Sequence, residues 1–132
     1  MQSQPIGPAA HGVIDYAFVS TQALAPTLLV LHGAARTLRY GFAAFQGVVN
    51  ALTDTPVGVR PRIPFQIHGR LETPFVPALL LLPWLTGALR QRTARRYFTA
   101  FFCLAAANYL LTDYRAQERA GTDGHERPQP TR

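Results

Sequence analysis

Residues 11–45 read HGVIDYAFVSTQALAPTLLVLHGAARTLRYGFAAF, and residues 68–102 read HGRLETPFVPALLLLPWLTGALRQRTARRYFTAFF. Laid over one another at an offset of 57 positions, they are two copies of one pattern. His11-Gly12 falls on His68-Gly69, Asp15 on Glu72, and Phe18-Val19 on Phe75-Val76. Leu24, Pro26 and Leu28 fall on Leu81, Pro83 and Leu85, and Arg39-Tyr40 falls on Arg96-Tyr97. After a two-residue slip, Leu52-Thr53-Asp54 matches Leu111-Thr112-Asp113. A repeat of this length is one supersecondary unit used twice. Each copy is His-Gly-x-x-acid, an apolar segment with a proline, an arginine-bearing turn, and a second apolar segment ending in Leu-Thr-Asp.

The segments between these marks are apolar on every side. Residues 16–35, 40–53, 73–89 and 97–112 contain no Asp, Glu, Lys or Arg. A soluble helical bundle carries a charged face at helical spacing, and these runs do not. A bilayer-spanning helix needs about 20 mostly apolar residues, with a range of roughly 17–25. The first run reaches that length, and the others approach it when their polar ends are included. The pattern therefore predicts an all-α protein, a four-helix transmembrane bundle made of two repeated helical hairpins. Repeat one covers about 8–55 and repeat two about 65–114, within a membrane domain of 1–114. Residues 115–132 mix charges with Gly and Pro and are expected to form a polar, disordered tail. The connection over 55–67 holds Pro56, Pro61 and Pro64 and reads as an extended loop. Pro26 and Pro83 recur at one depth and are expected to kink their helices.

The hairpin unit, with Leu82-Pro83-Trp84 in its first helix, resembles the SPW repeat family of small bacterial membrane proteins. That resemblance covers roughly residues 8 to 114. It implies two transmembrane helices per repeat and no assigned activity. Leu82 stands in place of the family's Ser, and the first copy reads Ala25-Pro26-Thr27.

Composition agrees with this reading. Hydrophobic residues make up 48% and charged residues 15% of the chain, against about 25% charged in an ordinary soluble domain. The net charge is +6, and all 13 basic residues are Arg. They cluster at the ends of apolar runs rather than along a polar stripe, which argues against nucleic acid as a partner. The hairpin turns hold Arg36, Arg39, Arg90, Arg92, Arg95 and Arg96. By the positive-inside rule the expected location is the cell membrane, with turns in the cytoplasm and termini outside. The expected partners are the lipid bilayer and a second copy or another membrane protein. Cys103 lies in an apolar run and reads as a buried thiol, and Trp84 as a packing residue.

Odd-numbered helices start at the end where even-numbered helices finish. His11, Asp15, Asp54, His68, Glu72 and Asp113 are therefore expected at one end of the bundle, as a ring of two histidines and four carboxylates. His11 and Asp15, like His68 and Glu72, are four residues apart and share a helix face. Three roles follow. Imidazole and carboxylate together suit Zn, Fe, Mn or Cu, although no known metal motif is present. A histidine beside a carboxylate titrates near neutral pH and suits proton handling. The same groups also serve as helix caps and interhelical bonds, with Asn50 and Asn108 as further interhelical donors. No sequence motif requires a cofactor, and no nucleophile triad or phosphate loop specifies a reaction. The sequence favours a non-enzymatic structural or accessory factor. The alternative is a metal-binding or proton-handling protein using the ring.

Overall fold

The computed structural model describes residues 4–125, with side chains through residue 120. Four long helices run in order: α1 (Pro8–Leu28), α2 (Gly33–Leu52), α3 (Phe65–Leu85) and α4 (Arg92–Leu111), followed by the shorter α5 (Ala116–His125). The described chain is all-helical apart from turns, one 3-10 turn at Ala88–Arg90 and two isolated β-bridges. Pro8 opens α1 in its first turn, where a missing N–H costs nothing and the fixed φ favours entry into a helix. Pro64 sits one place earlier, as the N-cap of α3. Each histidine's own N–H then donates to the residue four before it: His11 to Gly7 O at 3.0 Å and His68 to Pro64 O at 3.1 Å.

α1 packs on α2, α3 on α4, and α2 against α3. The apolar core lies towards the hairpin turns and is built on Leu31, Ala35, Phe42, Phe75, Leu79, Phe98 and Phe101. Phe42 and Phe75 meet edge-on across the α2–α3 contact, with centroids 5.7 Å apart. Pro26 and Pro83 fall in the last turn of α1 and α3. They remove hydrogen bonds where each helix is about to end, so they mark matching helix exits rather than a mid-helix kink.

The two repeats close on each other head to tail. Ile63, leading into α3, pairs with Thr53 at the end of α2. Ile6, leading into α1, pairs with Thr112 at the end of α4. The backbone bonds are the same in both: Asp54 N donates to Ile63 O and Asp113 N to Ile6 O, each at 2.8 Å. The proline-rich connection is accordingly folded back on α2. Gly58 lies so close to Thr53 O that a Cβ there would approach to 2.1 Å.

Several expectations are corrected. Among the described residues, no helix is long and apolar enough to cross a membrane. The uncharged runs and the helices do not coincide: each helix starts before its run and ends before the run does. α2 takes in Arg36 and Arg39, α3 takes in Arg70 and Glu72, and α4 starts on Arg92 with Arg95 and Arg96. Charges read as flanking the apolar runs are inside the helices, and their mean hydropathy falls accordingly. The multi-pass membrane location and the orientation inferred from the arginines are set aside with that finding. Where a disordered tail was expected from residue 115, α5 forms; residues 126–132 lie outside the described part. Cys103 is exposed on α4, and Trp84 is 66% exposed rather than packed.

Candidate metal centre

His11 and Asp15 project from one face of α1, His68 and Glu72 from one face of α3, and all four are buried. Their ligand atoms converge. His11 Nε2 and His68 Nε2 are 3.1 Å apart. Asp15 Oδ2 lies 3.4 Å from His11 Nε2 and 3.3 Å from His68 Nε2. The Glu72 carboxylate straddles both rings, with Oε2 3.5 Å from His11 Nε2 and Oε1 3.6 Å from His68 Nε2. The four residues each offer one ligand atom, all within 4.8 Å of one another.

The outward ring nitrogens explain this arrangement. His68 Nδ1 is 2.7 Å from Thr53 Oγ1, and His11 Nδ1 is 2.8 Å from Thr112 Oγ1. Each threonine hydroxyl already donates its single proton, at 2.6 Å, to the carbonyl four residues earlier: Thr53 to Val49 O and Thr112 to Asn108 O. Each Oγ1 can then only accept, so the imidazole Nδ1 must carry the hydrogen. A neutral imidazole with hydrogen on Nδ1 has its lone pair on Nε2. Both Nε2 atoms therefore face the centre and its carboxylates, where in the metal-free protein the proton held by His68 lies between the two rings.

Asp15 is fixed from behind. Gln46 Nε2 donates to Asp15 Oδ1 at 3.1 Å, and Gln22 Nε2 donates to Gln46 Oε1 at 2.6 Å. Asn108 Nδ2 lies 3.5 Å from the same Oδ1 and 3.2 Å from His11 Nδ1. Asp15 Oδ2 is buried and aimed at the two Nε2 atoms, with which it forms ion pairs. Glu72 is held differently: Tyr114, just beyond α4, donates its hydroxyl to Glu72 Oε2. The Tyr114 ring also sits edge-on to His11, with centroids 5.4 Å apart. Gly69 makes this possible, since a Cβ there would come within 2.7 Å of the Tyr114 ring. Gly12 plays the matching part in the first copy, where a Cβ would meet Val57 at 2.5 Å.

Family models, curated proteins and solved structures yield no match to this chain. The chemistry rests on the residues themselves.

Burial pulls the His68 pKa down, but the hydrogen bonds and negative charge of Asp15 and Glu72 outweigh it and raise it to about 9. Burial pushes the Asp15 carboxyl up, but His11 and His68 more than offset it and hold it below the ordinary value. Burial, reinforced by the Glu72 charge, pushes the Tyr114 phenol well up, so it remains a donor.

Two of the six ring residues stand apart. Asp54 is exposed. Asp113 pairs with Arg119 and accepts from Arg115 N at 3.2 Å. The threonines beside these aspartates face the centre instead. Asn50 and Asn108 do bond between helices, Asn50 Nδ2 donating to Gly12 O at 2.9 Å. Sequence reading missed Thr53, Thr112, Gln22, Gln46 and Tyr114 as supports. The threonines did carry a signal, since Leu-Thr-Asp recurs in both copies.

Proposed function

We propose that this protein binds one divalent transition-metal ion between its two repeats, through Nε2 of His11 and His68 and the carboxylates of Asp15 and Glu72. The observation that carries this reading is the pair of outward-anchored imidazoles, whose Nε2 atoms converge on the buried Asp15 Oδ2 at 3.4 and 3.3 Å. An ion at roughly 2.0–2.2 Å from four tetrahedral ligands sets those ligands about 3.3–3.6 Å apart. The His–His and His–Asp separations run from 3.1 to 3.4 Å, and one ligand atom from each of the four residues lies within 4.8 Å of the others. Charge supports the same reading. Once the ion displaces the His68 proton, two carboxylates and two neutral imidazoles present two negative charges, which a divalent cation cancels. Metal-bound histidines characteristically donate their other N–H to an oxygen, as both do here to threonine. Imidazole with carboxylate suits Zn, Fe, Mn or Cu.

An ion here would tie α1 to α3, and so one hairpin to the other, which fits a structural or accessory protein. Elemental analysis and an absorbance spectrum of untagged protein test the proposal. The expected result is near-stoichiometric metal, lost in the His11→Ala/His68→Ala double variant. Protein that carries no metal and takes up neither zinc nor cobalt on addition overturns it.

A further inference from the structure

The centre is supported unequally on its two sides. Asp15 is completely buried and locked by Gln46. Glu72 is anchored through Tyr114, and Tyr114 is only part-buried. On the other side of the Tyr114 ring lies a polar pocket of about 350 Å3, lined by Gln66, Arg70, Thr73, Tyr109, Arg115 and Glu118 together with Gly69 and Tyr114 itself. A second pocket of about 290 Å3 meets the same tyrosine from the direction of Asp113 and Arg119. Tyr114 thus lines both pockets while touching Glu72 and His11 of the ligand cluster.

The pocket has a charge preference. Among the described residues, Arg70 and Arg115 line it with one acid, Glu118. It also carries neutral donors: Thr73 and Tyr109 hydroxyls meet at 2.8 Å on its wall. A pocket of this size and lining is at the small end for ligand sites and suits an anion with several acceptor oxygens. A cation entering here would meet two guanidinium groups.

We propose that this pocket is an oxyanion site serving the metal centre, and that Tyr114 is the movable side chain between them. A small oxyanion, of carboxylate or phosphate type, is held by Arg70 and Arg115. When Tyr114 swings off Glu72, the anion gains access to the ion on that side, because Glu72 then loses its anchor and can yield a coordination position. Gly69 keeps the closed position open to the tyrosine ring. Tyr114 acts as a positioning residue through Glu72. This inference rests on the metal-binding reading above.

The test uses the full chain loaded with cobalt, whose visible d–d bands report the ligands of the ion. Inorganic phosphate and acetate are titrated separately, to tell the two kinds of oxyanion apart. The expected result is a saturable spectral change with at least one of them, weakened about tenfold or more by Arg70→Ala/Arg115→Ala, since each lost charge-assisted bond is worth roughly that factor. Both arginines are exposed, so the double variant should fold and bind cobalt as the parent does. Tyr114→Phe keeps the ring but frees Glu72 and is expected to tighten the anion response. A normal cobalt spectrum that neither anion alters, or a response indifferent to both arginines, overturns this inference and leaves the metal reading standing. Failure to bind cobalt at all overturns both.

Discussion

His11 and His68 meet through Nε2 at 3.1 Å, yet each is anchored through Nδ1 by a threonine from the opposite repeat. His11 of the first copy rests on Thr112 of the second, and His68 of the second on Thr53 of the first. The centre therefore cannot form within one hairpin. Closing the two copies head to tail and aiming the two lone pairs inward are one structural event.

Replacing Thr53 or Thr112 with valine keeps the volume and removes the acceptor that fixes the imidazole. Loss of such a support typically lowers metal affinity by about 10–100-fold. The expected outcome is a zinc or cobalt affinity reduced by that order in either variant, read by competition with a chromophoric chelator. Unchanged affinity in both would show that the threonines do not set the ring orientation.

The pH dependence has a definite sign. His68 is raised from an unfolded value of 6.5 to about 9 in the metal-free protein. Its contribution to stability is fully present below pH 6.5 and is lost as pH rises through 9. Asp15 is lowered, so its contribution is present above its unfolded value and is lost as pH falls through its folded one. Denaturant titrations of metal-free protein should show stability falling between pH 6.5 and 9, by up to about 3 kcal/mol at 1.4 kcal/mol per unit. Metal affinity should move the other way, rising about tenfold per pH unit over that window, because the ion displaces the His68 proton. A metal affinity independent of pH there would count against His68 as a ligand.

Two glycines in helices should respond in opposite senses to alanine. Gly41 of α2 has nothing within 4 Å of its would-be Cβ. Gly41→Ala is expected to stabilise by roughly 0.5–1 kcal/mol, the ordinary helix-interior gain. Gly69→Ala forces a Cβ to within 2.7 Å of the Tyr114 ring. It should lower the thermal midpoint and push Tyr114 away from Glu72. Thermal unfolding of the pair makes each the control for the other.

The sequence carried the four ligands because they obey two visible rules, a repeat and an i, i+4 spacing. It misplaced Asp54 and Asp113 for a reason that lies in the backbone. Thr53 and Thr112 are the residues at which α2 and α4 end, and both are extended, with ψ of 139° and 132°. In extended chain, successive side chains point to opposite sides. With threonine turned towards the histidine, the next residue must turn away. The membrane reading failed on a different point. It counted uncharged residues, whereas the helices do not follow the uncharged runs: α1 ends at Leu28 inside the first run, and α3 and α4 begin inside charged segments at Phe65 and Arg92. The pocket beside Tyr114 had no sequence signature, since its lining spans α3, the end of α4 and α5.

Arg39 gives the last prediction. It lies at 0% exposure near the hairpin turns, and none of its guanidinium nitrogens has a hydrogen-bond partner among the described residues. Its repeat counterpart Arg96 is exposed. Four rings surround the charge: Phe98 at 3.9 Å, Tyr97 and Phe101 each at 4.9 Å, and Phe42 at 5.3 Å. Burial lowers its pKa from 12.5 to about 10, so it stays cationic at neutral pH. Cation–π contacts of about 0.5–2 kcal/mol offset part of the cost of burying it. A well-packed apolar side chain in place of a buried charge is often neutral or stabilising. Arg39→Met should therefore be at least as stable as the parent. Arg39→Ala empties the space between the rings and should fall below Arg39→Met by about 2–4 kcal/mol, as in other large-to-small core changes. Denaturant midpoints of the two variants decide the matter. If Arg39→Met is as damaging as Arg39→Ala, the charge itself holds the aromatic cluster together, and the packing account of this site is wrong.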